Sequence, residues 1–348
     1  TSPLMETKAA VVILNWNGIQ FLKKFLPAVV ESSSGIARVI VADNASTDES
    51  RPWTREKFPG VEWIQLDNNY GFAGGYNRAL QKINTEIFIL INSNIEINGN
   101  WIQPLLNCLG SEPDIAACQP KILSFDKRNE FEYAGAAGGF IDFLGYPFCR
   151  GRIFHNHELD MGQYDDTTEI FWATGACLAV KAKAFHEAGG FDEDFFAHME
   201  EIDLCWRMKN SGHRIFYCGD STVHHVGGAT LQKINPQKTF LNFRNSLFCL
   251  VKNGRGWKVP FLVLYRLFLD GIASLKFIAE GNFMHFLAVF RSHLSFYFHL
   301  IPMIRKRRKL AKSRNRISEF PMYRKSIVFE FYLRGLRTFS ALDKSRFR

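Results

Sequence analysis

Continuous apolar runs alternate with segments of helical character along the first hundred residues of the chain. Buried strands are predicted over Ala9–Leu14 and Arg38–Ala42, and a third and a fourth strand over Val61–Leu66 and Glu86–Ile91. Helices are predicted between them over Gly18–Val30, Ser46–Phe58 and Phe72–Ile83. Strands that alternate with helices indicate an α/β fold, in which a mainly parallel sheet is covered by helices on both faces.

Less regular patterns follow in the second hundred residues. The Gly-rich aromatic segment Gly135–Gly151 predicts a loop or hairpin, and Phe171–Val180 predicts a strand with a break at Gly175. A helix over Phe195–Asn210 and a strand over Arg214–Tyr217 complete the predicted body.

A polar cluster follows each of the four predicted strands in the first hundred residues. The clusters are Asn15-Trp16-Asn17-Gly18, Asp43-Asn44-Ala45-Ser46, Asp67-Asn68-Asn69 and Asn92-Ser93-Asn94. Any one of them fits an ordinary loop, because Asn, Asp and Gly favour turns. In open parallel sheets, however, ligands bind beyond the carboxyl ends of the strands. Four clusters on one edge therefore predict a binding site there.

Two long apolar and aromatic segments, Phe261–Ile278 and Phe283–Ile304, contain charged side chains. Neither holds the roughly 18 uncharged apolar residues of a membrane-spanning helix. A basic run follows, made of Arg305–Lys309 and then Lys312, Arg314 and Arg316. Apolar helices beside such a run favour binding to an anionic membrane surface. The alternative is a helical cap packed on the body with a solvated basic face.

Charge separates the chain into the same two regions. Residues 241–348 carry 22 Lys and Arg against 5 Asp and Glu, whereas residues 1–240 carry 21 against 29. We therefore predict a catalytic body over residues 5–240 and a membrane-associating helical region over residues 241–348. Nucleic acid is not the expected partner, because the aromatic residues are not interleaved with the cations.

The seven cysteines form no CxxC pair, and the first apolar run is too short for a signal peptide. Both features predict a cytoplasmic protein, peripheral on the inner face of the cytoplasmic membrane.

Four sequence blocks make the prediction of function more specific. They are VVILNWNG from Val11, VADNASTDES from Val41, NNYGFAGGYN from Asn68 and GGFDEDFFAHMEEIDLCWR from Gly189. Together they resemble glycosyltransferase family 2, and most nearly its rhamnosyltransferase-like bacterial branch, over about residues 9–228. The resemblance implies a GT-A fold, which is Rossmann-like, a nucleotide diphosphate sugar as donor, and inversion at the anomeric carbon.

The resemblance also implies where the donor binds. Leu14, Asn15 and Asp43 would line the nucleoside pocket, with Asp43 bonded to the base, whereas Asn69, Gly71 and Asn77 would lie beside the donor, as would Asn92 and Ser93. Gly71, Gly74 and Gly75 would permit close backbone approach, and a helix that begins there would favour phosphate. An ordinary glycine turn is the alternative for these glycines.

Asn92-Ser93-Asn94 stands where the family has its metal-binding DxD-type motif, which normally ends in Asp. Oxygen ligands suit Mg²⁺ or Mn²⁺, which would neutralise the leaving diphosphate. Asn94 offers only a neutral carbonyl oxygen, and Glu96 could compensate weakly. Three explanations of Asn94 stay open: an engineered inactivating change, a natural enzyme that tolerates Asn at this position, or a degenerate enzyme. His225 matches the family's late histidine near the diphosphate or metal, although a structural histidine is the alternative.

Glu200-Glu201 matches the acidic pair of the family, whose second member is usually the catalytic Asp. Glu201 is therefore predicted to be the general base, with Glu200 in support; charges that complement a helix dipole are the alternative. Asp203 is predicted to pair with Arg207. Trp172, Thr174 and Gly175 match the stretch beneath the sugar and acceptor, although a core Trp is equally plausible.

These features predict a metal-dependent, inverting glycosyltransferase. It would transfer a hexose or deoxyhexose, rhamnose being one candidate, to a lipid-linked or surface-polysaccharide acceptor. The rival hypothesis is a non-catalytic sugar-nucleotide-binding protein, which Asn94 would explain.

Overall fold

The computed structural model of the chain describes residues 7–227, 235–312 and 320–347. The strands within these ranges are β1 (Ala9–Asn15), β2 (Arg38–Asp43), β3 (Glu62–Gln65), β4 (Ile87–Asn92), β5 (Ile95–Ile97), β6 (Ile115–Ser124), β7 (Gly139–Asp142), β8 (Pro147–Cys149), β9 (Arg152–Ile153), β10 (Asn156–His157), β11 (Thr167–Ile170), β12 (Cys177–Lys181), β13 (Arg214–His225) and β14 (Met322–Tyr323). The α-helices are α1 (Ile19–Ser33), α2 (Ser50–Lys57), α3 (Gly71–Leu80), α4 (Ile102–Ser111), α5 (Ala182–Glu187), α6 (Glu200–Asn210), α7 (Pro236–Asn253), α8 (Val259–Ala279), α9 (Phe283–Leu310) and α10 (Ile327–Tyr332).

The main sheet has the strand order β11-β13-β6-β12-β4-β1-β2-β3, and β5 also pairs with β13. Strands β3, β2, β1 and β4 are parallel neighbours, and β13 is parallel to β6. β12 lies between β4 and β6 and is antiparallel to both, whereas β11 is antiparallel to β13. The predicted mainly parallel sheet is confirmed.

Alternate residues of the central strands pack on opposite faces of this sheet. On β1, Val12 joins one core cluster, which also holds Tyr76 and Leu80 of α3, whereas Val11 joins the other, which holds Leu22 of α1. Fully burying a side chain of this size contributes about 1.5–3 kcal/mol. The strands are therefore apolar throughout because helices cover both of their faces.

A second sheet, in the order β10-β9-β8-β7-β14, contains the predicted hairpin. β7 and β8 are antiparallel neighbours within Gly135–Gly151, whereas β14 is parallel to β7 and comes from the end of the chain. Phe339 and Phe347 pack against Phe140 of this sheet, with ring centroids 5.1 and 5.3 Å apart. The C-terminal residues therefore return to the body, which accounts for part of the high Phe content.

The predicted division between residues 240 and 241 falls inside α7, which is one continuous helix. Leu247 and Phe248 of α7 and Phe296 of α9 belong to the same core cluster as the main sheet. Helices that share a core with the sheet are not a separate structural layer, so this boundary does not mark a break in the fold.

Helix α8 buries two of its charged residues and exposes many of its large apolar residues. Arg266 and Asp270 are buried, and Arg266 donates to the Leu144 carbonyl at 2.8 Å and to Ser246 Oγ at 2.7 Å. The exposed side of α8 and α9 is a row of large apolar residues: Phe261, Leu264, Phe268, Ile272, Leu275, Phe290, Leu294, Tyr297, Phe298 and Ile301. Across the three described ranges, each helix is too short or too polar to cross a bilayer. Arg314 and Arg316 of the predicted basic run lie outside the described residues.

Candidate active site

The nucleoside side of the predicted site is a hydrogen-bond network at the ends of β1 and β2. Asn15 and Asp43 are buried, and Asn15 Nδ2 donates to Asp43 Oδ1 at 2.9 Å. Asp43 Oδ2 accepts from the Ser46 amide and from Gln65 Nε2, each at 2.9 Å. Because both carboxylate oxygens are bonded to protein donors, Asp43 fixes the shape of this edge. Its bond to a donor base remains a prediction.

Asn44, absent from the predicted site residues, ties this edge to the loop before α3. Its Nδ2 donates to Asn69 Oδ1 and to the Gly71 carbonyl, each at 2.9 Å, and its Oδ1 accepts from the Tyr70 amide at 2.9 Å. Gly71 has a φ of +68°, which glycine adopts with little strain. The sequence placed Asn69 and Gly71 correctly at the sheet edge, and Asn44 fixes their conformation.

Helix α3 packs tightly on the same edge. A Cβ atom at Gly75 would lie 2.9 Å from Leu14 Cδ1, so any larger residue would have to displace the Leu14 side chain. Asn77 uses its side chain as a link to the backbone of Phe191. Its Nδ2 donates to the Phe191 carbonyl at 2.8 Å, and its Oδ1 accepts from the Phe191 amide at 2.9 Å. Asn77 therefore joins α3 to the segment before α6, and its place beside a donor stays a prediction.

The end of β4 carries the predicted metal motif and meets the end of β13. Asn94 Nδ2 donates to the Val226 carbonyl at 2.6 Å, and the Val226 amide donates to the Asn94 carbonyl at 3.1 Å. Ser93 Oγ lies near Gly18, 3.4 Å from where a Cβ atom would stand. Since Val226 follows His225, the two predicted metal ligands Asn94 and His225 are brought to one place. The bond uses the amide nitrogen of Asn94, whereas a metal would take the carbonyl oxygen.

His225 is buried beside a carboxylate that the motifs did not identify. Its Nδ1 lies 3.3 Å from Glu132 Oε2. Burial alone would raise the pKa of Glu132, but the hydrogen bond and charge of His225 lower it below its usual value. A carboxylate on one ring nitrogen is the usual support for a histidine that binds metal through the other. Glu96 instead pairs with Arg128, which lowers the pKa of Glu96.

Glu200 and Glu201 begin α6, next to the end of β4. A Cβ atom at Gly175 would lie 3.8 Å from Glu201 Cβ, and the adjacent Ala176 carbonyl accepts from the Asn92 amide at 3.0 Å. Burial raises the pKa of Glu201 to about 7. Burial, and then the charge of Glu201, raise the pKa of Glu200 well above its usual value. One oxygen of each carboxylate, Oε2, is buried without a hydrogen-bond partner.

The residues before α6 form a strained loop, which we call the α6 loop (residues 192–199). Phe196, His198 and Met199 have φ values of +64°, +67° and +73°. A non-glycine residue in this conformation costs about 1–3 kcal/mol of folding free energy. The conformation persists only where surrounding contacts hold it. The helix predicted from Phe195 therefore begins only at Glu200, and the loop conformation sets the direction of the two glutamates.

Asp203, one turn into α6, is a buried junction of charges. It accepts from Arg207 Nε at 2.8 Å, from Lys252 Nζ at 2.8 Å and from Asn253 Nδ2 at 2.7 Å. Burial would raise the pKa of Asp203, but Arg207 and Lys252 lower it below its usual value. The predicted Asp203–Arg207 pair is confirmed.

Trp172 and Thr174 are core residues. Trp172 is 4% exposed and donates through Nε1 to the Phe140 carbonyl at 3.0 Å. Thr174 is 2% exposed, and its amide donates to Gln119 Oε1 at 2.9 Å. The ring of Trp172 is enclosed against Gly139, which favours the alternative of a core Trp, and its place in the stretch beneath the sugar and acceptor stays a prediction. Trp16, which follows β1, and Phe196 of the α6 loop carry exposed rings.

Residues 10–188, about half of the chain, match the family described as Glycosyl transferase family 2. The chain belongs to glycosyltransferase family 2. The match runs from β1 through α5 and includes the edge at Asn15, Asp43 and Asn92.

Two curated relatives of this family 2 glycosyltransferase act on different substrates, according to their names. The low-salt glycan biosynthesis hexosyltransferase Agl10 of Haloferax volcanii is 24% identical over 68% of this chain and 73% of its own length. The N-acetylglucosaminyl-diphospho-decaprenol L-rhamnosyltransferase of Mycobacterium tuberculosis is 23% identical over 72% of this chain and 86% of its own length. The name of the second describes a lipid-linked acceptor.

Solved structures share the fold. Residues 1–349 of S. aureus TarS with UDP-GlcNAc superimpose with a TM-score of 0.55 at 12% identity, over 88% of this chain and 91% of that one. The mannosyltransferase PcManGT of Pyrobaculum calidifontis, with GDP-Man and Mn²⁺, gives 0.51 at 14% identity, over 90% and 88%. The GT-A architecture predicted for this family 2 glycosyltransferase is confirmed.

Proposed function

We propose that this family 2 glycosyltransferase inverts the anomeric carbon as it transfers a hexose or deoxyhexose, rhamnose being the leading candidate. The donor is a nucleotide diphosphate sugar, and the acceptor is lipid-linked or part of a surface polysaccharide. One observation carries the proposal: the partly buried carboxylate of Glu201 stands beside Gly175 at the sheet edge, with a raised pKa. A base with a pKa near 7 suits proton transfer at neutral pH.

The reaction requires a base on one side of the sugar and stabilisation of negative charge on the other. Glu201 accepts the proton of the acceptor hydroxyl while that oxygen bonds to the anomeric carbon. The bond from this carbon to the diphosphate breaks and its electron pair leaves with the diphosphate, so attack from the opposite face inverts the configuration. Glu200 is buried next to Glu201 in a supporting position, and the burial of Glu201 itself holds the pKa of the base high.

Asn94 and His225 fit a divalent cation, Mg²⁺ or Mn²⁺. The two residues meet at Val226. Glu132 lies beside one ring nitrogen of His225, as a carboxylate commonly does at a histidine that binds metal. A cation bound there supplies positive charge for the leaving diphosphate. Neither Asn94 nor His225 brings a negative charge to the cation, so we expect metal affinity to depend on the diphosphate oxygens. The structures of PcManGT and GalNAc-T7 contain Mn²⁺, according to their titles.

The exposed apolar row of α8 and α9 is proposed to lie in the interface of an anionic membrane, on the cytoplasmic side. Phe298 and Ile301 are exposed one to two turns before the basic run Arg305–Lys309. Apolar side chains can enter the headgroup region while neighbouring cations contact lipid phosphates. This arrangement would hold a lipid-linked acceptor close to the enzyme.

Release of nucleoside diphosphate from a panel of donors, with Mn²⁺, Mg²⁺ or chelator, tests the proposal. We expect acceptor-dependent release with one donor class, and loss of at least 100-fold in Glu201→Gln. Turnover by Glu201→Gln at the wild-type rate would refute Glu201 as the base.

The second candidate function is a sugar-nucleotide-binding protein without catalysis, which the neutral Asn94 favours. It predicts donor binding in calorimetry without turnover in either the wild type or Asn94→Asp. A large gain of metal-dependent turnover in Asn94→Asp would instead indicate a weakened enzyme.

A further inference from the structure

Helix α7 contacts the α6 loop through several side chains, and Asn245 lies at the centre of these contacts. Asn245 is fully buried, and its Nδ2 lies 3.0 Å from the Phe195 carbonyl, 3.0 Å from the Ala197 carbonyl and 2.7 Å from the His198 carbonyl. An amide carries two hydrogens for these three acceptors, so at least one hydrogen is shared. The left-handed residues turn the carbonyls of the loop toward a single point, where this amide stands.

Arg244 braces the same amide. Its Nε donates to Asn245 Oδ1 at 2.9 Å, which fixes the orientation of the side chain. Its Nη2 donates to the Asp194 carbonyl at 3.0 Å and to the Phe195 carbonyl at 3.2 Å. Four consecutive or nearly consecutive loop carbonyls are therefore bonded to two adjacent residues of α7.

Other contacts hold the ends of the loop without Asn245. Lys252 Nζ donates to Asp192 Oδ2 at 2.6 Å and to Asp203 Oδ2 at 2.8 Å. Lys306 Nζ of α9 donates to Asp192 Oδ1 and to Asp194 Oδ2, each at 2.6 Å. Because ion pairs anchor both flanks, loss of the Asn245 amide should loosen the middle of the loop and leave α6 in place.

We propose that Asn245 is a positioning residue for Glu201, which it orients through the carbonyls of the α6 loop. The proposal rests on the proposed function of Glu201. Met199 ends the loop and directly precedes the two glutamates, so a change in its backbone angles redirects both carboxylates. We also expect a loosened loop to admit more water to the partly buried Glu201.

The test compares Asn245→Ala with Asn253→Ala. Asn253 is equally buried in α7, and its Nδ2 donates to Asp203 Oδ1 at 2.7 Å without contact to the loop carbonyls. Both variants lose a buried amide, so we expect both to unfold at lower temperature than the wild type. Only Asn245→Ala should lower kcat, by about 10- to 100-fold, with the KM for the donor changed less than threefold. Its acid limb in kcat/KM should move to lower pH, because hydrated Glu201 returns toward the usual pKa of a carboxyl.

Asn245→Ser keeps a hydroxyl donor and should give an intermediate kcat; it also serves if the alanine variant does not fold. A folded Asn245 variant with the kcat and the acid limb of Asn253→Ala would overturn the proposal. Failure of the proposed function would give a different result. In that case Glu201→Gln would be fully active, whatever the activity of the Asn245 variants.

Discussion

The side-chain amide of Asn94 donates a 2.6 Å hydrogen bond to the carbonyl of Val226, the residue after His225. Asparagine therefore fits the backbone around it. A carboxylate at this position could not donate and would place two oxygens in contact. The departure from the aspartate of the family motif is thus matched by a local structural partner.

We expect Asn94→Asp to lower the free energy of unfolding by about 1–3 kcal/mol without metal, because a buried acceptor loses its donor. Mn²⁺ together with a nucleoside diphosphate should restore much of the loss, since a carboxylate binds the cation more strongly. Thermal unfolding with and without ligands measures both effects. Equal stability of variant and wild type in chelator would show that the bond to Val226 contributes nothing.

The raised pKa of Glu201 has opposite consequences for activity and stability. Turnover needs the carboxylate, so kcat/KM should rise as the pH passes through about 7. Between the usual pKa of a glutamate and about 7, the folded state binds a proton that the unfolded state has lost, so stability falls as pH rises through this window.

Glu201→Gln removes this penalty. We expect the inactive variant to be more stable than the wild type at pH 8, by about 3 kcal/mol, and nearly equal to it at pH 4. Denaturant unfolding at the two pH values provides the measurement. If the variant were less stable than the wild type at pH 8, burial of the charged Glu201 carboxylate would not destabilise the folded protein.

Glu132 is expected to support metal binding through His225. Glu132→Gln should weaken the affinity for Mn²⁺, measured calorimetrically in the presence of nucleoside diphosphate, by about 10- to 100-fold. Glu130→Gln is the control, because Glu130 bonds to exposed Lys127 at 2.9 Å. Unchanged Mn²⁺ affinity in Glu132→Gln would assign the His225–Glu132 pair to structure alone.

The apolar row of α8 gives a prediction for lipid binding. Replacing Phe261, Phe268 and Leu275 by Ser should weaken binding to phosphatidylserine vesicles by about 100-fold, or about 3 kcal/mol at about 1 kcal/mol for each partly buried side chain. Flotation of the vesicles measures the bound fraction. The control replaces Leu159 and Met161, which are exposed on the body. Equal binding of the two variants would exclude α8 as the contact.

The repetitive part of the fold could be predicted from the sequence, and the irregular part could not. β1, β2 and β4 are apolar on both faces, so their ends and the polar residues that follow them were located within one or two residues. β6 was missed, although it is central and buried, because Gln119, Pro120 and Lys121 interrupt its apolar pattern.

The same limit applies to the site. Asn15, Asp43 and Asn92 were placed at the sheet edge by local patterns. Asn44 was identified as a polar residue of the edge without its role, and Glu132 and Asn245 were not found. The partners of all three lie 25 or more residues away along the chain. The burial of Trp172 could not be predicted, because a motif does not show whether a ring faces the cleft or the core.

The continuity of α7 across residue 240 bears on how a smaller version of the enzyme could be made. Truncation at residue 240, to remove the apolar C-terminal third of the chain, would also remove Arg244, Asn245 and Lys252. The remaining polypeptide would keep every residue expected to touch sugar, yet its loop of left-handed residues would have lost its main support. A more soluble enzyme is better made by substituting polar residues for the exposed apolar residues of α8 and α9, while the buried side of both helices is kept.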